Sequence, residues 1–175
     1  YGPVITAFFR TAPGLSMVLY SFFSVAEFAG RTVAGLLQYT VKIPAKRRFA
    51  MIFGVYQVYE TMDMCLLWLP YPLMLVNRAI CGFLGTNSAT MRQAAVQQYI
   101  AEEMRSRVNS FFDVELTLAT SVLSLLVGAL GEVLDYRLCV TICGAVAMTA
   151  CWLIVWRGRR EVRPVLEYER SQKTG

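Results

Sequence analysis

The sequence predicts an all-α membrane protein, a bundle of transmembrane helices. One observation is the run 138–156, nineteen residues without a charged side chain, followed at once by Arg157, Arg159, Arg160 and Arg163. An apolar run of that length crosses a bilayer as a helix, and arginines gather where such a helix ends at the cytoplasm. A second is composition: 56% of residues are hydrophobic and 17% charged, against roughly 25% charged in soluble domains. The third is that basic residues fall in short clusters between apolar runs rather than on one surface. That spacing fits membrane topology, not a nucleic-acid interface, so no nucleic-acid partner is expected.

The elements follow in order. Residues 1–9 read as the end of a truncated span, and with Tyr1 already inside an apolar stretch the chain reads as part of a longer protein. Pro13-Gly14 marks a loop. Spans are expected at about 15–37, 49–69, 71–90, 110–130 and 138–156, with Pro70-Tyr71-Pro72 as a tight turn between the second and third. The segment 91–109 is polar and is expected to be a loop, and 157–175 a basic, poorly ordered cytoplasmic tail.

Counting charges tests this order. Segments 38–48, 91–109 and 157–175 hold 4, 3 and 6 Lys and Arg, thirteen in all, while the opposite side has Arg10 and Arg137. The strict alternation predicts a multi-pass protein of the cell membrane with a cytoplasmic C-terminus.

Five cysteines, Cys65, Cys81, Cys139, Cys143 and Cys151, lie in apolar runs without a C-x-x-C pair, which argues against a disulfide framework. The absence of histidine removes histidine-ligated zinc, histidine-based triads and histidine proton shuttles. With no nucleophile–base pair or metal-ligand cluster in view, neither an enzyme nor a metal or cofactor is expected.

Three stretches, Gly30 to Leu37 followed by Lys42 to Arg48, Asn77 to Gly85, and Gln98 to Ser110, resemble the C-terminal half of a major facilitator superfamily transporter. Gly30-Arg31-Thr32-Val33-Ala34-Gly35-Leu36-Leu37 followed by Lys42 to Arg48 is similar to the family's glycine-rich basic loop. Asn77-Arg78-Ala79-Ile80-Cys81-Gly82-Phe83-Leu84-Gly85 is similar to its small-residue, cavity-lining helix. The run from Gln98 to Ser110 is similar to the loop before the penultimate helix of drug-efflux-like members. The resemblance covers nearly the whole chain and implies the end of helix seven plus helices eight to twelve. It further implies a missing N-terminal half of the same protein, a small-molecule substrate, and coupling to protons or another ion. Where the family loop places an aspartate, Gln38 and Tyr39 stand here, so no charge-relay role carries over to this loop. Asp113 resembles the acidic residue that packs against such a loop from the other half.

Ionisable residues inside spans cost about 2.5 to 3.5 kcal/mol each on insertion scales, so each needs a reason. Counting about 1.5 Å per residue from the Pro70 turn puts Glu60 near the midplane and Asp63 level with Arg78 on the next, antiparallel helix. An Asp63–Arg78 ion pair is expected, with Glu60 the more isolated carboxyl. Such a group can take up and release a proton, as proton-coupled transport requires. Glu60 is therefore the candidate coupling or substrate-cation residue, with Asp63 and Arg78 as its tuning pair. The alternative, one structural cluster locking two helices, stays open. Glu27 and Arg31, spaced i, i+4, form either a neutralised pair or a cavity element. Gly82 and Gly85 thin their helix for close contact with a neighbouring helix or with the other half, and Gly128 and Gly131 do so on the next. Tyr56, Gln57, Tyr59 and Met62 are candidates for a cavity wall or for core packing.

The expected function is secondary transport, proton-coupled export of small amphipathic molecules by alternating access. The competing reading is a non-transporting membrane scaffold or assembly subunit whose buried charges only pair with partner helices.

Overall fold

The computed structural model describes residues 2–38 and 44–167. The expectations for Tyr39, Lys42 and the end of the tail with Arg170 and Lys173 fall outside the described residues. Seven α-helices and no strand make up the described chain.

Helix α1 (Gly2–Thr11) presents Val4, Ile5, Phe8 and Phe9 on one face, one turn apart in pairs, and all four are buried. Phe9 is the centre of the main core, with Tyr20, Phe23 and Tyr71 rings at 5.5, 5.4 and 6.3 Å. The chain leaves α1 through Pro13-Gly14, where Gly14 has φ +80°, a left-handed turn that suits glycine. Ser16 then accepts a hydrogen bond from the Leu19 amide at 3.3 Å and starts α2 (Met17–Gln38).

A 3-10 turn (Ala45–Arg47) leads into α3 (Arg48–Cys65), which tightens into a second 3-10 turn at Leu66–Trp68. Extended Pro70 stops the helix and Pro72 lies in the first turn of α4 (Tyr71–Tyr99), a position that needs no amide donor. The Tyr71 hydroxyl donates to the Leu19 carbonyl at 2.9 Å, and the Trp68 indole to Thr141 Oγ1 at 3.1 Å, so this turn is anchored on two neighbours.

The polar segment 91–109 is not the expected loop. Helix α4 continues to Tyr99, α5 (Glu102–Val133) begins at Glu102, and only Ile100 and Ala101 are extended between them. Residues such as Gln93, Ala94, Ala95, Gln97, Met104 and Arg105 are good helix formers. Glu102 and Glu103 occupy the positive end of α5, where acids are favourable. Polarity ends a membrane span, but it does not end a helix.

Asp135 caps α6 (Tyr136–Cys151), accepting from the Arg137 amide at 2.8 Å, and a π-helical turn at Trp152–Trp156 completes the long apolar run. The first part of the tail is ordered, against expectation. Arg159–Leu166 forms α7, whose Leu166 is buried with Phe49 of α3 and Ala95 of α4, with Val162, Val155 and Ile52 around them. Arg159, Arg160 and Arg163 stay exposed on the other side. The i, i+4 spacing of Val162 and Leu166 supplies the apolar stripe that docks the helix.

By length and composition α5 and the stretch Tyr136–Trp156 can each cross a membrane. Helix α5 buries only Val127 and leaves Phe111, Phe112, Leu116 and Leu125 exposed. Exposure of that kind is unfavourable in water and cost-free against lipid tails.

Candidate functional site

The tightest seam in the bundle is α2 on α4, and two glycines make it. A Cβ on Gly30 would overlap the Ala79 carbonyl oxygen, and one on Gly82 would overlap the Glu27 carbonyl oxygen. Ala34 on the same face of α2 is fully buried. Only glycine lets the two backbones come this close, and that closeness brings Glu27 of α2 to Arg78 of α4.

Arg78 is 6% exposed and forms an ion pair with Asp63 of α3, itself 2% exposed. Its other terminal nitrogen lies 3.7 Å from Glu27 Oε2, and its guanidinium carbon sits 5.1 Å from the Phe23 ring centroid. Glu27 in turn pairs with Arg31, whose side chain is 60% exposed. Arg78 therefore ties three helices together. Charges taken out of water persist only when paired in this way.

Two further contacts fix the register of α3 on α4. Asn77 Nδ2 donates to the Met62 carbonyl at 2.9 Å, and Cys81 Sγ lies 3.5 Å from Asn77 Oδ1. Glu60, one turn before Asp63, is 5% exposed and is hydrogen-bonded to Tyr56. Both Glu60 and Glu27 are close enough to act electrostatically on Asp63. Three carboxyls and two guanidiniums thus share one region of the bundle, and with all of them ionised one negative charge is in excess.

The remaining candidates are placed elsewhere. Tyr59 packs its ring 3.5 Å from where a Cβ of Gly85 would lie. Gln57 faces α6, where Oε1 accepts from the Trp152 indole at 2.8 Å and Nε2 lies 3.5 Å from Cys151 Sγ. Asp113 is exposed on α5, as is Glu115. Gly131 approaches Val4 and Tyr136, while Gly128 has no neighbour within 4 Å of a built Cβ.

Sequence reasoning treated Glu27–Arg31 and Asp63–Arg78 as separate pairs, and the Glu27–Arg78 contact that joins them was missed. Gly30 and Gly82 were the available signal, because small residues on two helices together indicate a close crossing. Among the described residues no group of His, Cys, Asp and Glu is placed to hold a metal ion.

Comparison with known proteins returns no match among curated proteins and none among solved structures. The Major Facilitator Superfamily profile, by contrast, matches residues 1–174. A match over essentially the full chain, on an all-helical bundle with apolar spans, shows an integral membrane transport protein: the chain belongs to the Major Facilitator Superfamily.

Proposed function

We infer that this chain is the C-terminal half of a proton-coupled secondary transporter that exports small amphipathic molecules across the cell membrane by alternating access. The observation that carries this reading is the excess carboxyl in the cluster of Glu27, Glu60, Asp63, Arg31 and Arg78. Asp63 and Glu27 share Arg78, and Arg31 attends Glu27. Three acids stand against two guanidiniums there, so one proton on the cluster, which we assign to Glu60, brings it to neutrality. A low-dielectric surrounding makes the difference between a net charge and none large. Uptake of that proton would favour one state of the transporter and its release the other.

In this reading Asp63 and Arg78 hold the cluster together, and α2 and α4 move as one body because Gly30 and Gly82 leave no slack between them. Exposed Asp113 on α5 serves the contact with an N-terminal half. The thirteen basic residues on one side support a cytoplasmic C-terminus.

The test is substrate-evoked proton flux in proteoliposomes containing the full-length transporter, wild type against Glu60→Gln, over a panel of amphipathic compounds. Lost flux with an unchanged melting profile supports Glu60 as the coupling residue. Flux equal to wild type reduces Glu60 to a structural group and moves coupling to Glu27.

A further inference from the structure

A second feature lies at the basic end of the bundle, far from the charge cluster. Counting along α3, Arg48 is fifteen residues from Asp63, or about 22 Å. There a cleft of about 330 Å³ opens, with α4 as floor and α2 and α3 as walls. Its apolar lining includes Met51 and Val55 of α3 and Phe83 of α4; its polar lining is Gln38, Asn87, Thr90 and Arg48. Met51 on the wall is 41% exposed, so the cleft communicates with the outside of the bundle.

Arg48 is the unusual member. Its Nη1 is buried and makes no hydrogen bond among the described residues. The two amides are engaged elsewhere, Gln38 Nε2 donating to Asn87 Oδ1 at 3.3 Å and Asn87 Nδ2 to the Phe83 carbonyl at 3.0 Å. The sequence supplies no counter-charge from these walls: no Asp or Glu occurs between Glu27 and Glu60, and none in α4. A guanidinium nitrogen withdrawn from water and left unpaired is costly, and an anion relieves it.

The geometry points to a binding site for one anionic phospholipid, with its phosphate on Arg48 and the upper part of an acyl chain along Met51, Val55 and Phe83. The charge requires an anion, and the apolar walls require a ligand with a hydrocarbon part. The position, beside Lys46 and Arg47 where α3 begins, is where lipid headgroups meet a membrane protein. A bound lipid there would hold the ends of α2 and α3 against α4.

Native mass spectrometry of the full-length protein, titrated with phosphatidylglycerol or with phosphatidylcholine of the same chains, tests this. The expected result is a preference for phosphatidylglycerol, weakened about tenfold by Arg48→Gln. Arg10→Gln, an equal loss of charge at the opposite end, leaves it unchanged. Met51→Trp, which fills the cleft and spares Arg48, lowers occupancy by both lipids; it serves if Arg48→Gln does not fold. Equal binding of the two lipids, or an unaltered preference in both cleft variants, overturns the proposal. So does displacement of the lipid by inorganic phosphate alone, which would make the ligand a free anion, or by a transported compound, which would make the cleft part of the cargo path.

Discussion

Arg78 reaches Glu27 at 3.7 Å while it holds its ion pair with Asp63, so a single guanidinium on α4 bridges α2 and α3. Removing the cation leaves Asp63 without its ion pair in a nearly dry site and Glu27 with Arg31, whereas removing Asp63 leaves Arg78 with Glu27. The three positions are therefore unequal in consequence.

Arg78→Gln is expected to destabilise the bundle by about 3 to 5 kcal/mol, the usual effect of leaving a buried charge without its partner. The double variant Arg78→Gln, Asp63→Asn should recover a large part of that loss. Thermal unfolding in detergent checks both. Equal melting of the single and double variants would show that Asp63 does not depend on Arg78.

Gly82→Ala is expected to force α2 away from α4, because the new methyl would overlap the Glu27 carbonyl oxygen, which is backbone and cannot rotate aside. Overpacking of this kind costs about 1 to 3 kcal/mol or more. Gly54→Ala, where nothing lies within 4 Å of the new Cβ, should be neutral or stabilising by up to about 1 kcal/mol through helix propensity. Melting temperatures are the readout: that of Gly82→Ala falls and that of Gly54→Ala does not.

Leu166→Asp should detach α7 from Phe49 and Ala95, since the replaced side chain is one of three residues that bury that contact. The measurable result is faster trypsin cleavage after Arg159 and Arg160, with the membrane-embedded part left intact. Cleavage at the wild-type rate would mean that α7 stays docked without Leu166.

Asp135→Ala removes the side-chain acceptor of the Arg137 amide at the start of α6. The expected loss is about 1 kcal/mol, typical of an N-cap. Asp135→Asn, which keeps an acceptor oxygen, should lose less, and paired melting curves distinguish the two.

How far the site was legible differs from residue to residue. The level of Asp63 with Arg78 followed from the Pro70 turn, because two helices joined by a short turn have their residues in register by simple counting. Glu27 joining the same group did not follow, since α2 and α4 are separated in sequence by the whole of α3. Arg48 read only as one of four basic residues in 38–48, and its place beside Met51 and Phe83 depends on how three helices close around it.

What the sequence by itself determined is the helical class and the membrane setting. Partition between lipid and water is decided residue by residue, so runs such as 138–156 carry that information locally. The tertiary structure decided which charges meet, where α4 and α5 end, and that 159–166 docks as a helix. Those outcomes rest on the distance at which helices pack, and that distance is set jointly by residues far apart in the chain, here Gly30 with Ala79 and Gly82 with Glu27.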